Sequence, residues 1–504
     1  MEINGVLKKI GVKIKIEDII NKYNEKKVNT IKNKFTLSNK NHITKFIQKV
    51  KLFKICKKEY LILPRFGAYE LLESGIIDNI INKIKPGEDI IQEYTGKSNN
   101  NQQIIVKYIM DNIFNDEKKQ NGNAGCTLHC GAGLGKSFLA MDLISKINKK
   151  TLIIVPNTFL LKQWIELLKQ YFPNNTIGEY YSKTKKDGDI IVSIINSAVL
   201  GEFTFKTKID KKKIVTTLTP LEYYNQFGLV IFDESHTYCS NTFKQIFNRC
   251  QCDYMLGLTA TPNERIDTFD KISHMNIGDV LDVEQIENYI KNDVIFESTI
   301  NVIKYNGPEI YTQVEINPRN NMMNVPHIIN QLIEDEYRNQ LIIDNIIKLS
   351  KEKLNIFIFS ERRNHLLTLY DLLSQQIENE CEISIPEEDK SIVLYGGSSN
   401  DDINEAKHHS NVIFTTYQYS STGVSIVKMN ALILATPRKS NSTQIIGRVF
   451  RLGAGQDVHR RIIDIVDNKI PLKYQFYQRK KTYINRNSKI TTMEVNYQDI
   501  EVKS

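Results

Sequence analysis

The chain has 504 residues, 41% of them hydrophobic and 25% charged, with seven cysteines and a formal net charge of +9. That length exceeds one ordinary core and suits two or three domains, and no apolar run approaches the ~18 residues needed to cross a bilayer. The amino end lacks the apolar stretch of a secretory signal and the cysteines form no disulfide framework, so a cytoplasmic chain without membrane association is expected.

Residues 1–58 hold 16 Lys, no Arg and 4 acidic residues, a balance of +12, so the remainder sums to −3. Such a segment can hold phosphates through salt-sensitive contacts, but an AT-rich genome, also suggested by abundant Asn and Ile, yields the same bias. Residues 1–95, with an apolar stretch at Tyr60–Leu63 and a turn at Pro64-Arg65-Phe66-Gly67, are expected to form an accessory domain, a candidate nucleic-acid binder. From 96 to 285, strand-like runs at Thr151–Pro156, Asp189–Ile195, Leu229–Asp233 and Tyr254–Thr259 alternate with helical patterns. A Lys-rich stretch at 206–213 reads as a surface insertion.

Residues 286–325, polar and Asn-rich with Pro308 and Pro318, read as a linker. A second alternation over 326–470 has strands near Asn355–Ser360, Ser391–Tyr395, Val412–Thr416, Ala431–Thr436 and Arg461–Val466. Short, doubly apolar strands separated by helices indicate parallel sheets covered on both faces, hence two α/β lobes in tandem. In the tail, 471–504, Tyr474, Phe476, Tyr477 and Tyr483 stand among Lys473, Arg479, Lys480, Lys481 and Arg486. Base stacking among cations is one reading; a helix packing its aromatics on the second lobe is the favoured one. The pairs Cys126/Cys130 and Cys250/Cys252 have no second pair at zinc spacing and read as reduced, partly buried thiols.

The sharpest chemical signal is Cys130-Gly131-Ala132-Gly133-Leu134-Gly135-Lys136-Ser137. Three glycines let the backbone curl so that successive N–H groups face a phosphate chain. Lys136 then reaches the β- and γ-phosphates, and the Ser137 hydroxyl coordinates Mg²⁺. Cys130 stands where the usual pattern has its first Gly. Ninety-seven residues beyond Lys136, Leu229–His236 forms an apolar strand ending in Asp233 and Glu234. The pair suits a Mg²⁺-binding acid, Asp233, and a base, Glu234, that orients the attacking water. Thr259 and Thr261, in Gly257-Leu-Thr-Ala-Thr-Pro262, are small hydroxyl residues able to couple these acids to a strand-binding surface. In the rear half, Gln444, Arg448 and Arg451 share one face if their segment is helical, and the two arginines are candidate fingers for a γ-phosphate.

In this order, the four elements resemble motifs I, II, III and VI of the superfamily 2 helicases. The resemblance spans roughly residues 100–467. It implies two tandem RecA-like lobes, ATP with Mg²⁺ as cofactors, and ATP-driven movement on nucleic acid. Gln103 is similar to the adenine-proximal glutamine, and His236 and Gly423 take nucleotide-binding places. Pro156, Gln163 and Trp164 resemble motif Ia and Phe359–Arg362 motif IV. Thr416 through Gly423 looks like motif V, so Pro156, Gln163, Trp164 and Thr416 are implied to touch nucleic acid. Leu63-Pro-Arg-Phe-Gly67, Phe159–Trp164 and Gly396-Gly397 resemble the helicases of large cytoplasmic DNA viruses, of the poxvirus transcript-release type, and XPB. DNA, single-stranded or duplex, is the implied partner, with RNA as the alternative and RNA polymerase or other transcription machinery as an associated one. The pattern departs at Thr422-Gly423-Val424-Ser425, where the family has Glu-Gly-Leu-Asp. It departs again at Asn263-Glu264-Arg265, where XPB has Arg-Glu-Asp.

Overall fold

The computed structural model describes residues 2–40, 47–131, 134–201, 203–209, 212–240, 242–260, 262, 269–290, 296–317, 322–379, 390–421, 426–438, 442–455 and 457–503. The chain divides into two units, Met1–Lys291 and Asn292–Ser504.

The first unit opens with a small five-stranded sheet in the order Lys54–Cys56, Tyr60–Leu63, Gly11–Lys15, Asn4–Lys8, Asn79–Asn82. Gly11, at φ +115°, is required there, because a Cβ would lie 2.3 Å from the Leu63 carbonyl oxygen. Beneath the sheet, Leu7, Val12, Ile14, Ile31, Phe35, Leu61 and Leu63 form a core of their own. The Leu63–Gly67 phrase is the joint to the larger sheet. Arg65, fully buried at the start of helix Arg65–Glu73, donates to the carbonyls of Gly122 (2.6 Å), Cys252 (2.7 Å) and Asp253 (3.2 Å). Beside it Lys9 Nζ donates to the Tyr224 carbonyl at 2.9 Å.

The larger sheet of this unit has eight strands in the order Thr184–Lys186, Ile177–Tyr181, Ile190–Ile194, Thr151–Val155, Leu229–Asp233, Tyr254–Thr259, Gly125–His129, Val280–Asp282. All its pairings are parallel except that of the first strand. Four central strands are buried at every position, as helices on both faces require. The carboxyl ends of strands Gly125–His129, Thr151–Val155, Leu229–Asp233 and Tyr254–Thr259 therefore share one edge, where ligands of such sheets bind. The Lys-rich insertion is an antiparallel hairpin, Phe203–Ile209 with Lys212–Leu218, whose root stacks Phe203 on Tyr223 at 3.9 Å between centroids.

The second unit carries a seven-stranded sheet, parallel at every pairing: Lys390–Leu394, Ser410–Thr416, Ile356–Ser360, Ala431–Leu434, Arg460–Asp467, Ser298–Asn306, Lys489–Asn496. Both units thus have the α/β architecture of parallel strands and helices expected, but two boundaries change. Strand Ser298–Asn306 falls inside the expected linker 286–325, and Lys489–Asn496 inside the expected tail 471–504. Lys489–Asn496 is an edge strand exposed along most of its length, so its sequence carries no doubly apolar signature. The aromatic helix Tyr474–Asn485 packs on this lobe through Arg479, which grips the buried Asp464 with two bonds of 2.9 and 2.8 Å, and Tyr483, which adds a third of 2.7 Å. Among the described residues, no helix is long and apolar enough to cross a membrane.

Candidate nucleotide site

Strand Gly125–His129 delivers the glycine-rich turn to the carboxyl edge, and helix Lys136–Ile147 starts directly after it. Cys130 N–H bonds the Thr259 carbonyl at 3.3 Å, holding the turn's first residue to the neighbouring strand. Gly135 adopts φ +76°, and a Cβ there would lie 2.6 Å from Gln102 Nε2. Gln102 itself donates to the Leu134 carbonyl at 3.4 Å. Lys136 and Ser137 are half-buried at the helix start, where the backbone dipole favours an anion. Gly131 is exposed; Ala132 and Gly133 lie outside the described residues.

The acids arrive from strand Leu229–Asp233, separated from the turn's strand by Tyr254–Thr259 alone. Asp233 is only 6% exposed; its Oδ1 accepts from the Glu234 N–H at 3.0 Å and its Oδ2 from the Trp164 indole N–H at 2.8 Å. Glu234 sits at φ +50°, a left-handed conformation that costs a non-glycine residue about 1–3 kcal/mol and marks sites where function fixes the backbone. His236 Nδ1 lies 3.5 Å from Glu234 Oε2 and 2.9 Å from Thr259 Oγ1. A polar chain thus runs from the second acid to the hydroxyl at the end of the adjacent strand. Thr261 lies outside the described residues, as do 263–265.

Burial, with the Glu234 charge second, pushes the Asp233 carboxyl up to about 6. Trp164 and Lys136 oppose that shift. Burial also pushes the Cys130 thiol up to about 12, and Lys136, Glu234 and Asp233 all act on it electrostatically. Lys136 and both acids therefore stand at the same sheet edge, with the strand Tyr254–Thr259 between their own strands. Two neighbouring acids in a dry site suit a cation. Among the described residues no group of three His, Cys, Asp or Glu side chains could hold a metal alone. One carboxylate, the Ser137 hydroxyl and a nucleotide's own oxygens match the Mg²⁺ habit of taking few protein ligands.

Several expectations change. Gln103 is exposed and donates to the Ser98 carbonyl at 2.8 Å; Gln102 is the glutamine that meets the turn. Neighbouring helical positions point about 100° apart, so a one-residue offset changes the face. The spacing Asn99-x-x-Gln102 held the clue: the two form a reciprocal capping box, bonds of 2.9 Å each, that fixes Gln102. Trp164 is 1% exposed and cannot touch nucleic acid. In helix Thr158–Tyr171 it belongs to the buried set Leu160, Leu161, Ile165 and Leu168, a spacing legible in sequence. Pro156 and Gln163 are half-buried nearby. Tyr238, unremarked in sequence, has its hydroxyl 2.7 Å from the Asp233 carbonyl and 3.0 Å from that of Ile154.

In the second unit, Thr416 ends its strand and accepts from the Tyr419 N–H at 3.2 Å, starting helix Tyr417–Ser421. Residues 422–425, Gly423 among them, lie outside the described residues. Gln444 is on helix Ser442–Ile446, which stops before Gly447, so the three residues do not share one helical face as expected. Arg448 and Arg451 follow in tight turns, closed by Arg448 N–H to Ile445 O at 3.1 Å and Phe450 N–H to Gly447 O at 3.3 Å. Glycine at that point disfavours continuing the helix. Arg448 is 6% exposed, and burial lowers the Arg451 guanidinium.

Residues 76–264 match the family model "Type III restriction enzyme, res subunit". QP509L of African swine fever virus (isolate Pig/Kenya/KEN-50/1950), named as a candidate ATP-dependent RNA helicase, is 32% identical over 391 residues, spanning 74% of this chain and 70% of that protein. L396 of Acanthamoeba polyphaga mimivirus, similarly named, is 26% identical over 81% of this chain and 71% of its own length. The transcript termination protein A18 of Yaba-like disease virus is 25% identical over 68% and 69%.

Proposed function

The chain belongs to the superfamily 2 helicases of large DNA viruses, and we propose that it is a nucleic-acid-dependent ATPase that moves along DNA. The observation that carries this reading is that the glycine-rich turn leading into Lys136 and the strand ending in Asp233 stand at one carboxyl edge of a parallel sheet, a single strand apart. Lys136 would meet the β- and γ-phosphates, Ser137 and Asp233 would hold Mg²⁺, and Glu234, fixed at φ +50°, would orient the attacking water. When bound, Mg²⁺ neutralises charge on the phosphate oxygens. Gln102 closes the back of the turn. His236 and Thr259 carry a change at Glu234 to the next strand end.

Gln444, Arg448 and Arg451 are proposed as catalytic residues, the two arginines as fingers for a γ-phosphate. An arginine supplied in this way contributes about 10³–10⁵ in rate. Thr416 and Pro156, at strand ends, are proposed to contact the nucleic-acid backbone. The A18 relative's name supports a role in transcript termination, and the transcription machinery is the partner proposed with it; the names of QP509L and L396 support RNA as the second reading.

ATP hydrolysis measured with single- and double-stranded DNA and RNA tests the proposal and separates its two readings. Wild-type protein is expected to be stimulated most by DNA, and Lys136→Ala and Glu234→Gln to abolish the stimulated rate. Undiminished hydrolysis in both variants refutes the assignment.

A further inference from the structure

The hydrogen bond between Trp164 and Asp233 joins a residue of the hydrophobic core to the acid of the nucleotide site. Both side chains are buried, at 1% and 6% exposure, and the indole nitrogen lies 2.8 Å from Asp233 Oδ2. The indole's position is fixed twice over. Helix Thr158–Tyr171 follows strand Thr151–Val155 and is capped by Asn157, which accepts from the Leu160 N–H at 3.0 Å. That strand pairs in parallel with Leu229–Asp233, so the indole and the carboxylate descend from adjacent strand ends. The Tyr238 hydroxyl lies between the carbonyls of Ile154 and Asp233, tying the same two ends together. With Oδ1 held by the Glu234 N–H, the plane of the carboxylate is set on both sides.

We propose that Trp164 is a positioning residue for the metal, its indole N–H orienting the Asp233 carboxylate for Mg²⁺ through the 2.8 Å bond. An N–H donated to a carboxylate in a dry site is a strong, directional bond. Partners that orient a metal-ligating carboxylate typically change metal affinity by about 10–100-fold when removed. The inference rests on the reading of Asp233 as a Mg²⁺ acid.

Trp164 is the one tryptophan of the 504 residues, so tryptophan emission reports this contact with no background from another indole. Two measurements test the inference. In Trp164→Phe, which keeps a ring and removes the N–H, the Mg²⁺ concentration for half-maximal ATPase is expected to rise about tenfold. The rate at saturating Mg²⁺ is expected to stay within about twofold of wild type. In the wild type, adding Mg²⁺ to the ADP-bound protein is expected to change the emission, with a midpoint matching that of the ATPase. A folded Trp164→Phe protein with unaltered Mg²⁺ dependence overturns the inference, whatever its rate. So does wild-type emission that ignores Mg²⁺ in the presence of ADP, and this second result decides if the variant does not fold. A wild type without ATPase refutes the helicase reading alone, since the emission titration still judges the indole contact.

Discussion

Replacing Arg65 tests how the small five-stranded sheet is held to the larger sheet of the first unit. Its guanidinium is fully buried and meets three main-chain carbonyls, at 2.6, 2.7 and 3.2 Å. Arg65→Met keeps much of the side-chain bulk and leaves all three acceptors without their donor. A buried polar group left unsatisfied costs about 1–3 kcal/mol. Three of them sum to about 3–9 kcal/mol, and the relief of no longer burying a cation brings the expected loss to roughly 3–5 kcal/mol. Burial lowers the Arg65 guanidinium from its ordinary value, the direction in which that relief acts. For a unit of this size the loss corresponds to about 2–4 °C per kcal/mol in Tm, so a fall of roughly 10 °C is expected. Circular-dichroism melting of wild type, Arg65→Met and Arg65→Lys measures it, with Lys intermediate because one ammonium cannot span three carbonyls. An Arg65→Met protein within about 1 kcal/mol of wild type refutes the reasoning.

The Asp233 carboxyl, pushed up to about 6 by burial and then by the Glu234 charge, makes two effects of pH predictable. Its folded value lies above the unfolded one, so it favours folding most below the unfolded value and that contribution is lost as pH rises through about 6. The Tm of Asp233→Asn minus that of wild type should therefore increase between about pH 4 and 7, and a flat difference excludes the shift. Mg²⁺ competes with the same proton, so the acid limb of the ATPase profile should move to lower pH as Mg²⁺ is raised. For the tail helix, Arg479→Met leaves the buried Asp464 without its bidentate partner. The expected cost is about 3–5 kcal/mol, seen in the denaturant midpoint and as early proteolysis within 471–504; unchanged resistance contradicts the docking.

Sequence alone determined the α/β alternation, because strands buried on both faces must be written in runs such as Leu229–Phe232. It also showed a glycine-rich turn placed between a strand and a helix and an apolar strand ending in Asp233, because both are written in residue types within a few positions of one another. Tertiary structure decided what depends on partners distant in sequence. Ser298–Asn306 became a strand by pairing with Arg460–Asp467, 162 residues away at its first register pair, Ser298 with Arg460. Gln102 rather than Gln103 met the turn because a capping box set the helix's rotation. Trp164 bonds the Asp233 carboxylate, 69 residues away in sequence, because its helix turns that face to the core. Periodicity shows which side chains are buried; the particular atom each one meets is fixed only when separate strands are laid side by side.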